Sequence, residues 1–332
     1  VNNRLGIGNL GLEIGRQPED GDGVEPAAQS PIVNPPSLIV MPTEAIWAID
    51  EGHFRQMIGT AGNLTARYQA AISVQSSTLE GRGTPVMTVS NGVAVIDITG
   101  SLSKQASIFQ FFFGGTATTA VRQALTEAAQ SPAVDAIMLR IDSPGGEISG
   151  VADLADDIRA AAGQKPLTAY IEDLGCSAAY WLASQANRVV ANQTAIVGSI
   201  GVYMVVADWS KLFEDAGVVV HVVHRGKFKG AGAPGSHVTE EHLADFQRTI
   251  DALGDLFVAA VGRGRGISQE QANSLADGRV HVGVHAKALG LIDAIESFDA
   301  AMADLREEAN KKTSRPVTPG QSQRKESQMS DT

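Results

Sequence analysis

Three glycine-flanked stretches of this sequence hold residue types capable of acyl-transfer chemistry, and each follows an apolar run. The first is Asp142-Ser143-Pro144-Gly145-Gly146, behind VDAIMLRID. Paired glycines at a strand end let backbone N–H groups face a cleft unobstructed, as an oxyanion requires. The same residues also suit an ordinary strand-to-helix turn. The second stretch is Gly175-Cys176-Ser177-Ala178-Ala179-Tyr180-Trp181. It sets Ser177 at a predicted helix start, where unpaired N–H groups favour a developing negative charge. A plain helix cap is the competing reading of Ser177. Cys176 is either a rival nucleophile or a small buried side chain. The third is HRGKFKGAGAP (224–234), behind VVVHVVH. Lys227 and Lys229 either enter a cleft there or are solvated surface charges. A lysine serving as base near neutrality needs a pKa about 3 pH units below its ordinary value, roughly 4 kcal/mol of bias.

Other reactive side chains are accounted for more simply. His221 and His224 on the VVVHVVH run could supply a Ser-His-Asp triad, but structural or strand-end histidines are the commoner case. His281 and His285 fall at a turn and a helix start and read as surface groups. No HxxEH, cysteine pair or acidic cluster has metal-ligand spacing, so neither metal nor cofactor is expected. The run FQFFF (109–113) reads as a contact surface or as a hydrophobic lip for a peptide.

The elements that must position these residues are legible from periodicity. VAVIDITG (93–100), 134–142 and 166–174 read as buried strands, with further strands at 188–191, 195–206 and 218–224. Helices are expected over 116–130, 151–163, from Ala178 onward and over 240–262, and Ser268 with Gln271 opens a shorter one. Apolar strands alternating with helices predict an α/β domain over 93–300. Residues 1–36 read as a flexible arm. Residues 37–92 read as a short helical element, capped by Asp50, and a polar connector. Residues 301–332 read as a polar tail that is disordered or scaffold-like.

The whole chain sets outer bounds. It has 332 residues, 43% hydrophobic and 19% charged, with a formal net charge of −11, so nucleic acid is not an expected partner. One cysteine permits no internal disulfide. The first residues lack a signal-peptide pattern, and no run of about 18 apolar residues occurs, so no membrane partner and a cytoplasmic setting are expected.

The order of SPGG, Ser177, AIVGSIGV (195–202), Lys229 and LADGRVHVGVHAKALGLIDAI (275–295) resembles the signal peptide peptidase A family, from about Val93 to Ser297. The resemblance implies a crotonase/ClpP-like fold of stacked ββα units and a Ser/Lys endopeptidase. Carried over, the nucleophile falls on Ser177, the base on Lys229 rather than Lys227, and the serine that orients the amine on Ser199. The oxyanion donors fall on Gly146, with Gly145 shaping the turn, and on Ala178, where many membrane-bound relatives have glycine. It also implies a ring-like homo-oligomer, with serine and lysine coming from neighbouring protomers or domains. The absence of an anchor and the W-A-I-D element (47–50) look most like the phage and prophage head maturation proteases. That implies scaffold and capsid proteins, and often the chain itself, as substrates in the host cytoplasm or the assembling procapsid. A soluble oligopeptide-degrading peptidase and an inactive capsid or scaffold component are the alternative expectations.

Overall fold

A computed structural model describes residues 47–49, 86–105 and 114–313. The arm at 1–36, the expected helix after Asp50, the FQFFF run and everything beyond Thr313 lie outside the described residues. Most strands form one sheet in the order β11-β10-β8-β6-β3-β2. These are Met87–Ser90 (β2), Val93–Thr99 (β3), Ala136–Ser143 (β6), Leu167–Cys176 (β8), Ile196–Gly198 (β10) and Val280–Val282 (β11). Neighbours from β3 to β10 run parallel, while β2 and β11 pair antiparallel at the two edges. The first half of β8 pairs with Arg188–Ala191 (β9), and β9 in turn pairs with Ala294–Ile295 (β12).

A second, four-stranded sheet has the order β1-β7-β4-β5, from Trp47–Ile49, Gly145–Glu147, Leu102–Ser103 and Thr116–Ala117. The chain twice runs from a long strand to a short strand of this second sheet and then to a helix. It does so through β3, β4 and Thr118–Gln130 (α1), and again through β6, β7 and Val151–Gln164 (α2). These are the expected stacked ββα units within a single α/β region.

Alternation along the strands sorts side chains to two faces. Ile96, Ile98, Ile137, Leu139, Ile141, Ala169 and Ile171 join the larger core with α1, α2 and the short helix Ala178–Ala183 (α3). Val93, Ala136, Met138, Tyr170 and Val190 point the other way, against Ala301, Met302, Leu305 and Ala309 of Phe298–Thr313 (α8). The expected tail from residue 301 is therefore helical through Thr313 and covers a sheet face. Polar residues outnumber the narrow apolar stripe in that stretch, which hides its one-sided burial.

The long helix Glu240–Arg265 (α5) opens on a Thr239–His242 capping box, and Ser268 caps Gln269–Ser274 (α6) as expected. Between α3 and α5 the sequence reading needs correction. The strand expected over 195–206 is regular only at Ile196–Gly198, and 218–224 forms no strand. Val219 is 69% exposed and Val223 97%. An apolar β-branched run gives the pattern of a buried strand, but no strand among the described residues pairs with it. The connector expected over 72–92 contains β2, and Trp47–Ile49 is a strand.

The near-buried guanidinium of Arg265 anchors the C-terminal end of α5. It donates to both carboxylate oxygens of Asp293, at 2.6 and 3.0 Å, and to the Gly290 carbonyl at 3.1 Å. Burial would raise the Asp293 carboxyl, but the Arg265 bonds and the Val189 N–H at 2.7 Å outweigh it and hold the group below its ordinary value. A depressed carboxylate stabilises the fold above its unfolded pKa and loses that contribution as pH falls through the folded value. Asp293→Asn is expected to cost about 1–2 kcal/mol at pH 7, discounted for its partly exposed carboxylate. Urea unfolding should show the gap from wild type closing toward acid pH, and a constant gap would refute this linkage.

Candidate active site

Strands β8 and β10 run in parallel with Cys176 beside Gly198 at their last paired position. The next residue on each is a serine, Ser177 and Ser199, so the two sit side by side where the strands end. Both have left-handed backbones, with φ of 52° and 50°. Ser177 has ψ −123°, a combination that L-residues adopt only under strain. Hydrogen bonds fix both turns: Ser177 N–H donates to Gly198 O and Ser199 N–H to Arg279 O, each at 2.7 Å. Ser177 is 1% exposed, and its hydroxyl donates to the Gly201 carbonyl at 3.5 Å, the long limit for such a bond.

Ala178 follows as the first residue of α3, where N–H groups have no intrahelical acceptor. Beneath it the helix is held rigidly. The Tyr180 hydroxyl donates to Leu291 O at 2.8 Å, and Trp181 stacks on Phe257 of α5 with ring centroids 4.7 Å apart. Burial pushes the Tyr180 phenol well above its ordinary range, so it remains a neutral donor. The Cys176 thiol is buried and points to Ile196 O at 3.4 Å.

The glycine pair approaches from the adjacent strand. Ser143 of β6 is registered with Gly175 of β8, and each chain then continues two residues, to Gly145 and to Ser177. Gly145 has φ 96° and donates its N–H to Ser143 Oγ at 3.2 Å, while that hydroxyl donates to Gly100 O at 2.6 Å. Ser143 thus pins the glycine turn. Nothing local in the sequence marks that role, since a serine before Pro-Gly looks like any turn residue. A Cβ at Gly146 would stand 2.1 Å from Leu102 O, so the close approach of β4 admits only glycine there.

Both lysines belong to the irregular exposed stretch before α5. Lys227 is ion-paired with Glu241 and lies 5.4 Å from the Phe228 ring centre. Lys229 lines a cavity of about 190 Å³ with Val220, Val222, His224, His237 and His242. Among the described residues no hydrogen bond joins Lys229, His221 or His224 to Ser177; His224 Nδ1 faces Gly226 O at 2.9 Å. His281, read as a surface group, is half-buried on β11 beside Val197, with its ring against Gly198. Among the described residues, strand register brings Ser177, Ser199, Ala178 and the glycine turn together, and no hydrogen bond or ion pair joins Lys229 to them.

Residues 159–312 match the profile of peptidase family S49. Capsid assembly protease C of Escherichia phage lambda is 33% identical over 227 residues, covering 68% of this chain and 52% of the relative. Head-tail preconnector protein GP5 of Enterobacteria phage P21 is 35% identical over 183 residues, 55% of this chain and 36% of that protein. The chloroplastic serine protease SPPA of Arabidopsis thaliana is 28% identical over 227 residues, 68% and 34% of the two chains. The chain spans about half or less of the length of these relatives. Two solved structures overlay loosely. One is an enoyl-CoA hydratase/isomerase family member, with TM-score 0.39 and 17% identity over 68% of this chain and 74% of its own. The other is the ClpP protease catalytic domain of Plasmodium falciparum, with TM-score 0.37 and 12% identity over 61% and 85%. Among the described residues no helix is long and apolar enough to cross a membrane. Residues 159–312 thus match a peptidase family S49 domain, and the chain is similar to SppA proteases and phage capsid proteases.

Proposed function

We propose that this chain is a serine endopeptidase in which Ser177 is the nucleophile and Lys229 the base. The observation that carries the reading is the strained backbone of Ser177, a non-glycine residue held at φ 52° beside a second serine in the same posture. Strain of this kind persists only where surrounding bonds impose it, and it concentrates at reacting positions. The Ser177 hydroxyl attacks a peptide carbonyl while its proton passes to the neutral Lys229 amine, which Ser199 orients. The oxyanion is stabilised by the N–H groups of Gly146 and Ala178, with Gly145 setting the turn. The C–N bond then breaks, the amine leaves with the proton from Lys229, and water releases the acyl group from Ser177.

Lys229 reaches Ser177 from a neighbouring protomer in a ring-like homo-oligomer. The exposed valines beside it, Val219 and Val223 above all, support this arrangement, because a monomer has no reason to leave them in water. The lambda and P21 relatives, named for capsid assembly and head-tail connection, support a capsid-maturation setting with scaffold protein, and the chain itself, as substrates.

Exposure of the purified assembly to a fluorophosphonate, read by intact and peptide mass, should give one adduct per chain on Ser177. An adduct on Cys176 instead, or none on an assembly that cleaves scaffold protein, would overturn the assignment.

A further inference from the structure

The strand that carries the proposed oxyanion turn has two edges, and the chain occupies both. On one edge β4 approaches until Gly146 has no room for a side chain. On the other, Trp47–Ile49 pairs antiparallel, with Trp47 opposite Glu147, Ala48 opposite Gly146 and Ile49 opposite Gly145. Residues 145 and 146 are both glycine, so this outer edge offers backbone groups and no side-chain obstruction. Such an edge accepts an extended peptide as an added strand, bound through main-chain hydrogen bonds.

The polarity of the occupant is informative. Since Ser143 is registered with Gly175, the start of β7 is the end nearer Ser177. The segment runs from Trp47, at the far end of β7, to Ile49 opposite Gly145. Its chain therefore advances toward the nucleophile, as do the residues preceding a scissile bond.

Resting on the peptidase reading, we propose that Trp47–Ile49 occupies the strand position of the substrate and competes with it. The accepted substrate is then an extended peptide with apolar residues before the cleaved bond, resembling Trp-Ala-Ile. Access requires displacement of the chain's own segment.

The test compares the full-length assembled protein with Ala48→Pro and Ile49→Pro. Side-by-side strand residues alternate in which N–H faces the partner, so one of the two prolines must remove a bond to β7. The readouts are the rates at which Ser177 is modified by a tripeptidyl phosphonate, which needs the strand edge, and by a small fluorophosphonate. At least one variant should raise the ratio of peptidyl to small-probe rates roughly five- to tenfold, the effect of losing one backbone bond from a competitor. An unchanged or lowered ratio in both, with wild-type circular dichroism, overturns the proposal and makes β1 a structural strand. Should both variants misfold, a synthetic peptide of sequence Ile46–Asp50 is added to wild type. Slower peptidyl labelling supports the proposal, and no effect at millimolar peptide overturns it. If neither probe ever modifies Ser177, the peptidase reading itself has failed, a result distinct from an unchanged ratio.

Discussion

Ser177→Gly is expected to abolish hydrolysis while raising the melting temperature. Removing an attacking hydroxyl lowers turnover by roughly 10⁴ to 10⁶. The opposite sign for stability follows from the backbone, since φ 52° with ψ −123° is open to glycine and strained for serine. Strain of this kind costs about 1–3 kcal/mol, and glycine's freer unfolded chain returns about 0.5–1 of it, leaving about 1 kcal/mol of net stabilisation. For a domain of this size that is a rise of about 2–4 °C. Ser177→Ala is the control: equally inactive, still strained, and melting near wild type. Calorimetry on the three proteins decides the matter, and a glycine variant less stable than the alanine variant would remove strain from the account.

The second large effect concerns the lysines. Lys229→Ala should lower scaffold cleavage by at least about 10³, the scale of losing a proton-transfer group. Lys227→Ala should change it by no more than about threefold, because Lys227 is already committed to Glu241 at the surface. The reverse pattern would move the base to Lys227. Mixing refolded Ser177→Ala with Lys229→Ala chains then asks where the dyad is built. If serine and lysine come from different protomers, about a quarter of sites in a random one-to-one ring pair two intact residues, and activity returns. A mixture as inactive as its components would place both groups in one chain.

What could be read beforehand follows the physics of each element. The parallel strands through 93–176 were legible because burial on both faces writes continuous apolar runs, and the glycine turn and Ser177 stood out at their ends. Ser199 drew attention only through a family resemblance; its kinship with Ser177 is a matter of strand register and backbone angle, which local sequence does not record. The run 218–224 misled because valine-rich sequence signals a strand only when a partner strand exists. Helix α8 is hidden for the converse reason, only four buried apolar residues in a stretch rich in charge. The pairing of Trp47–Ile49 with a strand almost a hundred positions later could not be foreseen, since β pairing across such separations leaves no local trace.

The stretch from Val202 to Thr239 contains only one short helix, Ser210–Asp215, yet both its ends are fixed. One leaves the strand beside Ser177, and the other enters α5, which Trp181 and Phe257 lock to the helix that follows Ser177. Lengthening a loop with anchored ends is cheap, about 0.6 kcal/mol for each doubling. The serine half of the site can therefore stay unchanged while this segment gains, loses or exchanges residues. In evolutionary terms it is an interchangeable cassette, through which a lineage can exchange exposed residues, Lys229 among them, without rebuilding the turn that holds Ser177.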